Sequence, residues 1–239
     1  MSDFDVIPAI DLEDGEVVQL VGGERGTGHT YGDPVEAARS WVEAGADRLH
    51  LVDLDGAFDG ERQNAAAIDA ILEAVEVPVQ LGGGIRTAAD AIQLLASGID
   101  QVILGTAALE EPELVGRVAE EYPDGVLVSL DASDGEVVVA GWRERTGLDP
   151  ATAAARYEER GAAGILFTDV DVEGRQAGVR VDRVRRVVEA VDVPVVASGG
   201  VAGIEDLRAL KEAGAAAAVV GTALYEGAVT LQAAKNAVE

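Results

Sequence analysis

The chain matches itself, and a repeat governs every other reading of a sequence. Val75-Glu-Val-Pro-Val-Gln-Leu-Gly-Gly-Gly-Ile85 returns as Val191-Asp-Val-Pro-Val-Val-Ala-Ser-Gly-Gly-Val201, 116 positions further on. At the same spacing, Ile103-Leu-Gly-Thr-Ala107 returns as Val219-Val-Gly-Thr-Ala223 and the segment Gly45 to Asp55 as Gly161 to Asp171. Near the start of each half, Ile10-Asp11-Leu-Glu-Asp-Gly-Glu-Val-Val18 is echoed by Leu130-Asp131-Ala-Ser-Asp-Gly-Glu-Val-Val138 at a spacing of 120, so a four-residue loop difference reconciles the registers. The 239 residues divide into similar halves, roughly 1–120 and 121–239, with no Pro/Ser-rich or low-complexity linker between them.

Each half carries four short runs rich in Val, Ile and Leu. They are Val6–Ile10, Leu49–Val52, Val77–Leu81 and Val102–Leu104, then Val126–Leu130, Ile165–Phe167, Val193–Ala197 and Ala217–Val220. Unbroken apolar runs of this length read as parallel strands buried on both faces, and a helical pattern follows each. Asp33 as N-cap, Pro34 at the first helical position and Gly45 as terminator bracket the first helix. Eight alternating units in equal halves predict an α/β fold, a (β/α)8 or TIM barrel of two similar half-barrels forming one domain over 1–239. A doubly wound open sheet is the alternative, but it does not call for equal halves.

Composition removes several functions. With 18 Lys+Arg against 44 Asp+Glu the formal charge is −26, which excludes a basic nucleic-acid binder. The absence of cysteine rules out a disulfide framework, a thiolate metal site and a cysteine nucleophile. His29 and His50 are the only histidines, so a histidine-rich metal site is not expected either. Met1-Ser2-Asp3-Phe4-Asp5 lacks the basic flank of a signal peptide and no apolar run is long enough to span a bilayer. The expectation is a cytoplasmic monomer with no membrane or nucleic-acid partner. Lys211 and Lys235 are the only lysines, and acids are spread over every segment, which reads as a salt-adapted surface.

In such a barrel, chemistry gathers at the C-terminal ends of the strands. Strands 1 and 5 end in Asp11 and Asp131, half a barrel apart, where an unpaired charge closing an apolar strand is costly unless it is used. A facing carboxylate pair is suited to acid/base work. Strands 2 and 6 end in Asp53 and in Thr168-Asp169, whose aspartates are as well suited to capping loops as to chemistry. Strands 3 and 7 run into Gly82-Gly83-Gly84 and Ser198-Gly199-Gly200, strands 4 and 8 into Gly105-Thr106 and Gly221-Thr222. Glycines between strand and helix let backbone N–H groups approach an anion, so the duplicated pairs predict phosphate cradles on opposite sides of the mouth. Arg86 is the basic exception among these turns. His50, within an apolar strand, reads as a packing histidine. Gly22 to Gly32, with Arg25 and His29, has the composition of a mobile lid, and Trp142 and Arg143 are placed to fold over a substrate or to pack on a helix.

Ile7-Pro-Ala-Ile-Asp11, Val52-Asp-Leu-Asp-Gly-Ala57, Gln80-Leu-Gly-Gly-Gly-Ile-Arg86, Ile103-Leu-Gly-Thr-Ala107, Ser129-Leu-Asp-Ala132, Thr168-Asp169, Ala197-Ser-Gly-Gly200 and Gly221-Thr-Ala-Leu-Tyr225 together resemble the phosphoribosylformimino-aminoimidazole carboxamide ribotide isomerases of histidine biosynthesis. The resemblance covers essentially the whole chain. It implies an Amadori rearrangement of a bisphosphorylated small molecule, aminoaldose to aminoketose, without metal or cofactor. By the family pattern Asp11 takes the proton from the sugar C2, Asp131 protonates the ring oxygen as the furanose opens, and Thr168 supports the acid side. The family also implies Gly178 and Asp169 as substrate contacts beside the cradles. An ordinary aspartate is ionised at neutral pH, so Asp11 needs no special environment, whereas Asp131 must be raised by burial or by a carboxylate such as Asp169.

Ala9, the lack of cysteine and Gln19-Leu20 separate the chain from the sister cyclase, which usually has Cys before its first aspartate and Lys-Gly at the later pair. The chain departs from the family at Val170-Asp-Val-Glu-Gly174 and at Gly178-Val-Arg180, where Asp-Gly and Gly-Pro-Asn are common. The alternatives are a dual-substrate isomerase that also accepts phosphoribosylanthranilate, and a non-catalytic sugar-phosphate sensor; intact Asp11 and Asp131 argue against the sensor.

Overall fold

The computed structural model describes residues 4–60, 62–139, 141–142 and 144–239. The N-terminal residues Met1, Ser2 and Asp3 and the loop residue Arg143, to which expectations were attached, lie outside them. In chain order the strands are β1 (Asp5–Glu13), β2 (Glu16–Val21), β3 (Glu24–Gly32), β4 (Leu49–Asp53), β5 (Val79–Gly82), β6 (Gln101–Leu104), β7 (Val126–Ser133), β8 (Glu136–Val139), β9 (Glu144–Arg145), β10 (Gly164–Asp169), β11 (Val195–Ser198) and β12 (Ala217–Val220). Eight of them, β1, β4, β5, β6, β7, β10, β11 and β12, pair in parallel in that order, and β12 returns to β1. The sheet is a closed barrel, as the repeat predicted, and the open doubly wound sheet is excluded.

Two of the eight expected strands start later than their apolar runs. β5 begins at Val79 and β11 at Val195 because Pro78 and Pro194 have no N–H to give a ladder. Their carbonyls still join it, accepting from Leu49 N at 3.0 Å and Ile165 N at 2.9 Å.

Alternation along each strand sorts side chains between two cores. Ile7, Ala9, Ile103, Leu127, Leu166, Val196, Ala217 and Val219 point inward and fill the barrel. His50 is buried there too, 2.9 Å from Gln80 Nε2, and burial pushes its imidazole down to about 4. It stays neutral and packs, as the sequence suggested. The opposite faces meet a larger apolar layer under helices that include Pro34–Glu43, Ala65–Ala74 and Val181–Val188. Asp33 caps the first helix through its carboxylate, accepting from Val35 N and Glu36 N, and Gly45 ends the turn beyond it at φ 95. Among the described residues no helix is long and apolar enough to cross a membrane.

The segment 22–32, read as a lid, is instead largely strand. β1, β2 and β3 form an antiparallel meander at the barrel mouth, and β7, β8 and β9 form its counterpart in the second half. The turns Asp14-Gly15 (φ 51 and 80) and Asp134-Gly135 (φ 50 and 83) have the paired positive φ values that tight hairpins require. Arg25 fastens the first meander down. It reaches Glu13 at 2.8 Å, Asp55 at 2.7 Å and Asp59 at 2.9 Å, and lies 4.9 Å from the Phe58 ring centre.

Candidate active site

The register of the ladder sets two matching rows at the mouth. Asp11 stands beside Val52 and Val52 beside Gly82; opposite, Asp131 stands beside Thr168 and Thr168 beside Ser198. All six are inward positions, so the two aspartates enter the mouth at equal height from strands half a barrel apart. Thr168 is buried beside Asp131, where the resemblance expects it.

The aspartates differ in what holds them. Asp11 accepts from Gln19 Nε2 at 3.3 Å, and the protein packed around it pushes its carboxyl up to about 7. The sequence predicts an ordinary aspartate here; burial instead places its titration near neutrality. Asp131 accepts from Ser129 Oγ and from Trp142 Nε1, both at 2.8 Å. Trp142 therefore folds into the mouth rather than onto a helix.

Sequence reasoning missed Glu173, in the turn after β10. Its Oε2 is buried without a hydrogen-bond partner and lies 2.9 Å from the place a Cβ on Gly199 would occupy. Burial, and then the charges of Asp11, Asp131 and Asp169, push its carboxyl up to about 8. The departure at Val170 to Gly174 was the available signal, but nothing in the spacing showed that the turn folds back over the mouth.

Asp169 projects from the other face of β10, towards the helix Val181–Val188. Its oxygens lie 2.9 Å from Arg180 Nε and 3.3 Å from Arg183 Nη1, and burial raises its carboxyl against the pull of those two cations. Asp53 is its counterpart, wholly buried, accepting from Gly56 N at 2.9 Å and Asn64 Nδ2 at 2.7 Å.

The glycine turns duplicate as well. Gly83 and Gly199 have φ 96 and 95, and a Cβ would come within 2.1 Å of the Asp53 carbonyl at one and 2.8 Å of the Asp169 carbonyl at the other. Glycine is thus required by the packing of adjacent turns whether or not an anion binds. Gly84 meets Gly56 and the stem of Arg62, a basic residue the sequence reading did not attach to this turn, and Gly200 accepts from Gly178 N at 3.0 Å. Gly178 consequently stands at the strand-7 turn. Arg86 is exposed, its guanidinium against Gly60. Gly105 and Gly221 begin the short helices Thr106–Glu110 and Thr222–Tyr225. Beside the latter lies a pocket of about 390 Å³ whose walls include Gln19, His29, Tyr31, Arg175, Thr222 and Glu226.

Residues 5–230 match the family described as histidine biosynthesis protein. The chain belongs to that family. Its relatives include isomerases of 1-(5-phosphoribosyl)-5-((5-phosphoribosylamino)methylideneamino)imidazole-4-carboxamide. The one from Haloarcula marismortui is 70% identical over 98% of this chain and 96% of the relative. The one from Halobacterium salinarum is 67% identical over 99% and 98%, and that from Methanosphaerula palustris 46% over 98% and 99%. The family is one of TIM barrels, like the barrel seen here, and the first two relatives come from salt-loving archaea, in keeping with the charge of −26.

Proposed function

We propose that this chain is an aldose–ketose isomerase of histidine biosynthesis. It converts phosphoribosylformimino-aminoimidazole carboxamide ribotide to its phosphoribulosyl form. The observation that carries the reading is the placement of Asp11 and Asp131 at one height on opposite walls of the mouth, between duplicated glycine turns. The relatives named above support the substrate.

The steps follow from the two walls. A proton delivered to the ring oxygen lets the nitrogen lone pair expel the C1–O bond and open the furanose to an iminium. Asp11 then takes the C2 proton; the C–H pair becomes the C1–C2 double bond and the iminium pair returns to nitrogen. Finally Asp11 returns its proton to C1, while the enol O–H proton goes back to the acid, leaving a C2 ketone and both carboxyls as they began. We assign the acid to the wall of Asp131, Thr168 and Glu173. Glu173 Oε2 is buried without a hydrogen-bond partner and its carboxyl is pushed up to about 8, which suits it to carry the proton, with Asp131, bonded to Ser129 and Trp142, beside it.

The two phosphates are assigned to the turns Gly82–Gly84 with Gly105-Thr106, and Ser198–Gly200 with Gly178 and Gly221-Thr222. Arg86 and Asp169 act at the edges of these turns, and in this reading Asp169 works by holding Arg180 and Arg183. Both aspartates come from one chain, which supports a monomeric enzyme acting as one domain. A bisphosphate substrate cannot leave a cell unaided, which supports a cytoplasmic setting, and the acidic surface supports no nucleic-acid partner.

The test is turnover of the purified protein on the formimino ribotide in molar KCl, with phosphoribosylanthranilate beside it. Conversion of the first with little or none of the second is expected. No conversion of the first would defeat the reading, and comparable kcat/KM on both would defeat single-substrate specificity.

A further inference from the structure

Gln19 is a buried polar side chain on β2, 8% exposed, to which the sequence assigns no part in the chemistry. Its carboxamide touches two functional elements at once. Nε2 donates to Asp11 Oδ2 at 3.3 Å, while Oε1 lies 2.1 Å from the point a Cβ on Gly221 would occupy. The Gln19 carboxamide thus occupies the place a side chain at Gly221 would take, its Cδ 2.9 Å from the same point.

The other half of the barrel supplies the control. Gly105 is the repeat partner of Gly221, with nearly the same backbone (φ −101, ψ −106 against φ −106, ψ −96), yet a Cβ there would meet nothing closer than Ser129 Cβ at 3.8 Å. The residue that matches Gln19 at the hairpin spacing is Val139, which has no donor. The barrel is therefore nearly symmetric in its glycine turns and asymmetric in this amide, which serves only the Asp11 side.

We infer that Gln19 is a positioning residue for the isomerisation, aiming the Asp11 carboxylate by one end of its carboxamide while the other end rests on the strand-8 glycine turn. The inference rests on the reading of Asp11 as the base. A carboxylate free to rotate presents its lone pair to the C2 proton only part of the time, and small misplacements of a reacting group are expensive in rate. Because Gly221 also belongs to a proposed phosphate turn, the same amide ties the aim of the base to the place where the substrate is anchored. The charged and titratable groups around Asp11 are Glu173 from the turn after β10, Asp131 across the mouth and Tyr225 from the helix Thr222–Tyr225. Gln19 is the neutral donor among them, and its N–H favours the ionised form of Asp11.

Two variants of similar length test this. Gln19→Met keeps the packing against Gly221 and removes the donor; Gln19→Glu keeps the shape and replaces the donor with a charge. For Gln19→Met we expect kcat to fall about 10- to 100-fold with KM within about threefold, and the acid limb of the kcat profile to move to higher pH. Gln19→Glu should lose kcat and also raise KM, since its charge faces the phosphate turn. Independently of turnover, carbon-13 NMR of labelled aspartate carboxyls should show one group, absent in Asp11→Asn, titrating at higher pH in Gln19→Met than in wild type. Wild-type kcat, pH profile and Asp11 titration in folded Gln19→Met would overturn the inference. If wild-type protein fails to turn over the ribotide, the functional reading falls, and the NMR titration still decides whether Gln19 governs Asp11.

Discussion

The indole N–H of Trp142 donates to Asp131 Oδ2 at 2.8 Å from a backbone held at φ 67. A left-handed conformation costs a non-glycine residue roughly 1–2 kcal/mol, so neighbouring contacts must hold it. Gly23, in the β2–β3 turn, is one of them: a Cβ there would sit 2.3 Å from the indole ring. Two loops from opposite halves of the chain thus close over the Asp131 side of the mouth.

That contact is measurable by fluorescence, since Trp41 and Trp142 are the only tryptophans. In a Trp41→Phe background, Asp131→Ala should shift the emission of Trp142 and Asp11→Ala should leave it in place. Equal spectra for the two variants, or a shift only in Asp11→Ala, would show that the indole does not rest on Asp131 in solution.

The carboxyl values set the pH dependence of both rate and stability. With Asp11 at about 7 as base and Glu173 at about 8 as acid, kcat/KM should be bell-shaped around neutrality, with limbs that belong to the coupled group rather than to single residues. Glu173→Gln should lower kcat about 10²- to 10⁴-fold. Near wild-type turnover would return the acid role to Asp131 alone. For stability, both folded values lie above the ordinary carboxylate values of 3.8 and 4.5, so the folded chain holds protons that the unfolded chain has released. The stabilisation is present at low pH and is lost as pH rises towards about 7 for Asp11 and about 8 for Glu173. Asp11→Asn and Glu173→Gln should therefore raise the melting temperature at pH 8 and change it much less at pH 5. An equal or opposite shift would remove the argument that these two groups are held neutral.

What the sequence disclosed and what it withheld have physical causes. The repeat and the apolar runs disclosed the barrel, because a strand buried on both faces must be apolar throughout, and they placed Asp11, Asp131 and Thr168 because strand ends are readable. β3 was illegible: seven of its nine residues are exposed, so no alternation marks it, and backbone pairing carries it. Glu173 was illegible because its burial depends on a turn folding back against Gly199. The raised carboxyl of Asp11 depends on the density of atoms around it, which no local pattern encodes.

The repeat also pairs residues that look unrelated. Asn64 and Arg180 lie 116 positions apart and do the same work. Asn64 Nδ2 binds Asp53 at 2.7 Å and Asp55 at 2.9 Å; Arg180 reaches Asp169 at 2.9 Å and Asp171 at 2.8 Å. Asp55 and Asp171 in turn accept the backbone N–H of the hairpin residues Asp14 at 2.8 Å and Asp134 at 3.0 Å. Each half thus latches its hairpin to the following strand through a carboxylate. Burial opposes ionisation of Asp171, but hydrogen bonds from Ser133, Asp134 N–H, Arg180 and Arg183 outweigh it and hold its carboxyl well below the usual range. Asn64→Ala removes the one side-chain donor among the described residues to the fully buried Asp53 and should cost about 1–3 kcal/mol by denaturant titration. A loss below roughly 0.5 kcal/mol, the range of ordinary surface changes, would mean the latch is idle.

Salt provides the last prediction. A formal charge of −26 on 239 residues, with only Lys211 and Lys235 as lysines, leaves the folded chain under its own repulsion. The ion pairs that could offset this are mostly at the surface: Arg117–Glu111 and Arg208–Glu205 have half-exposed guanidinium partners, and pairs of that kind contribute about 0–1 kcal/mol each. Screening acts on the repulsion directly, shortening its reach from roughly 10 Å at 0.1 M to about 3 Å at 1 M. The melting temperature should therefore climb from low to molar KCl, most steeply below about 1 M, where the screening length changes most. Sulfate must be run separately, because excluded salts stabilise burial in most proteins whatever their charge. A melting temperature flat or falling in KCl while rising in sulfate would show that exclusion from the surface, and not relief of charge, is what salt does for this fold.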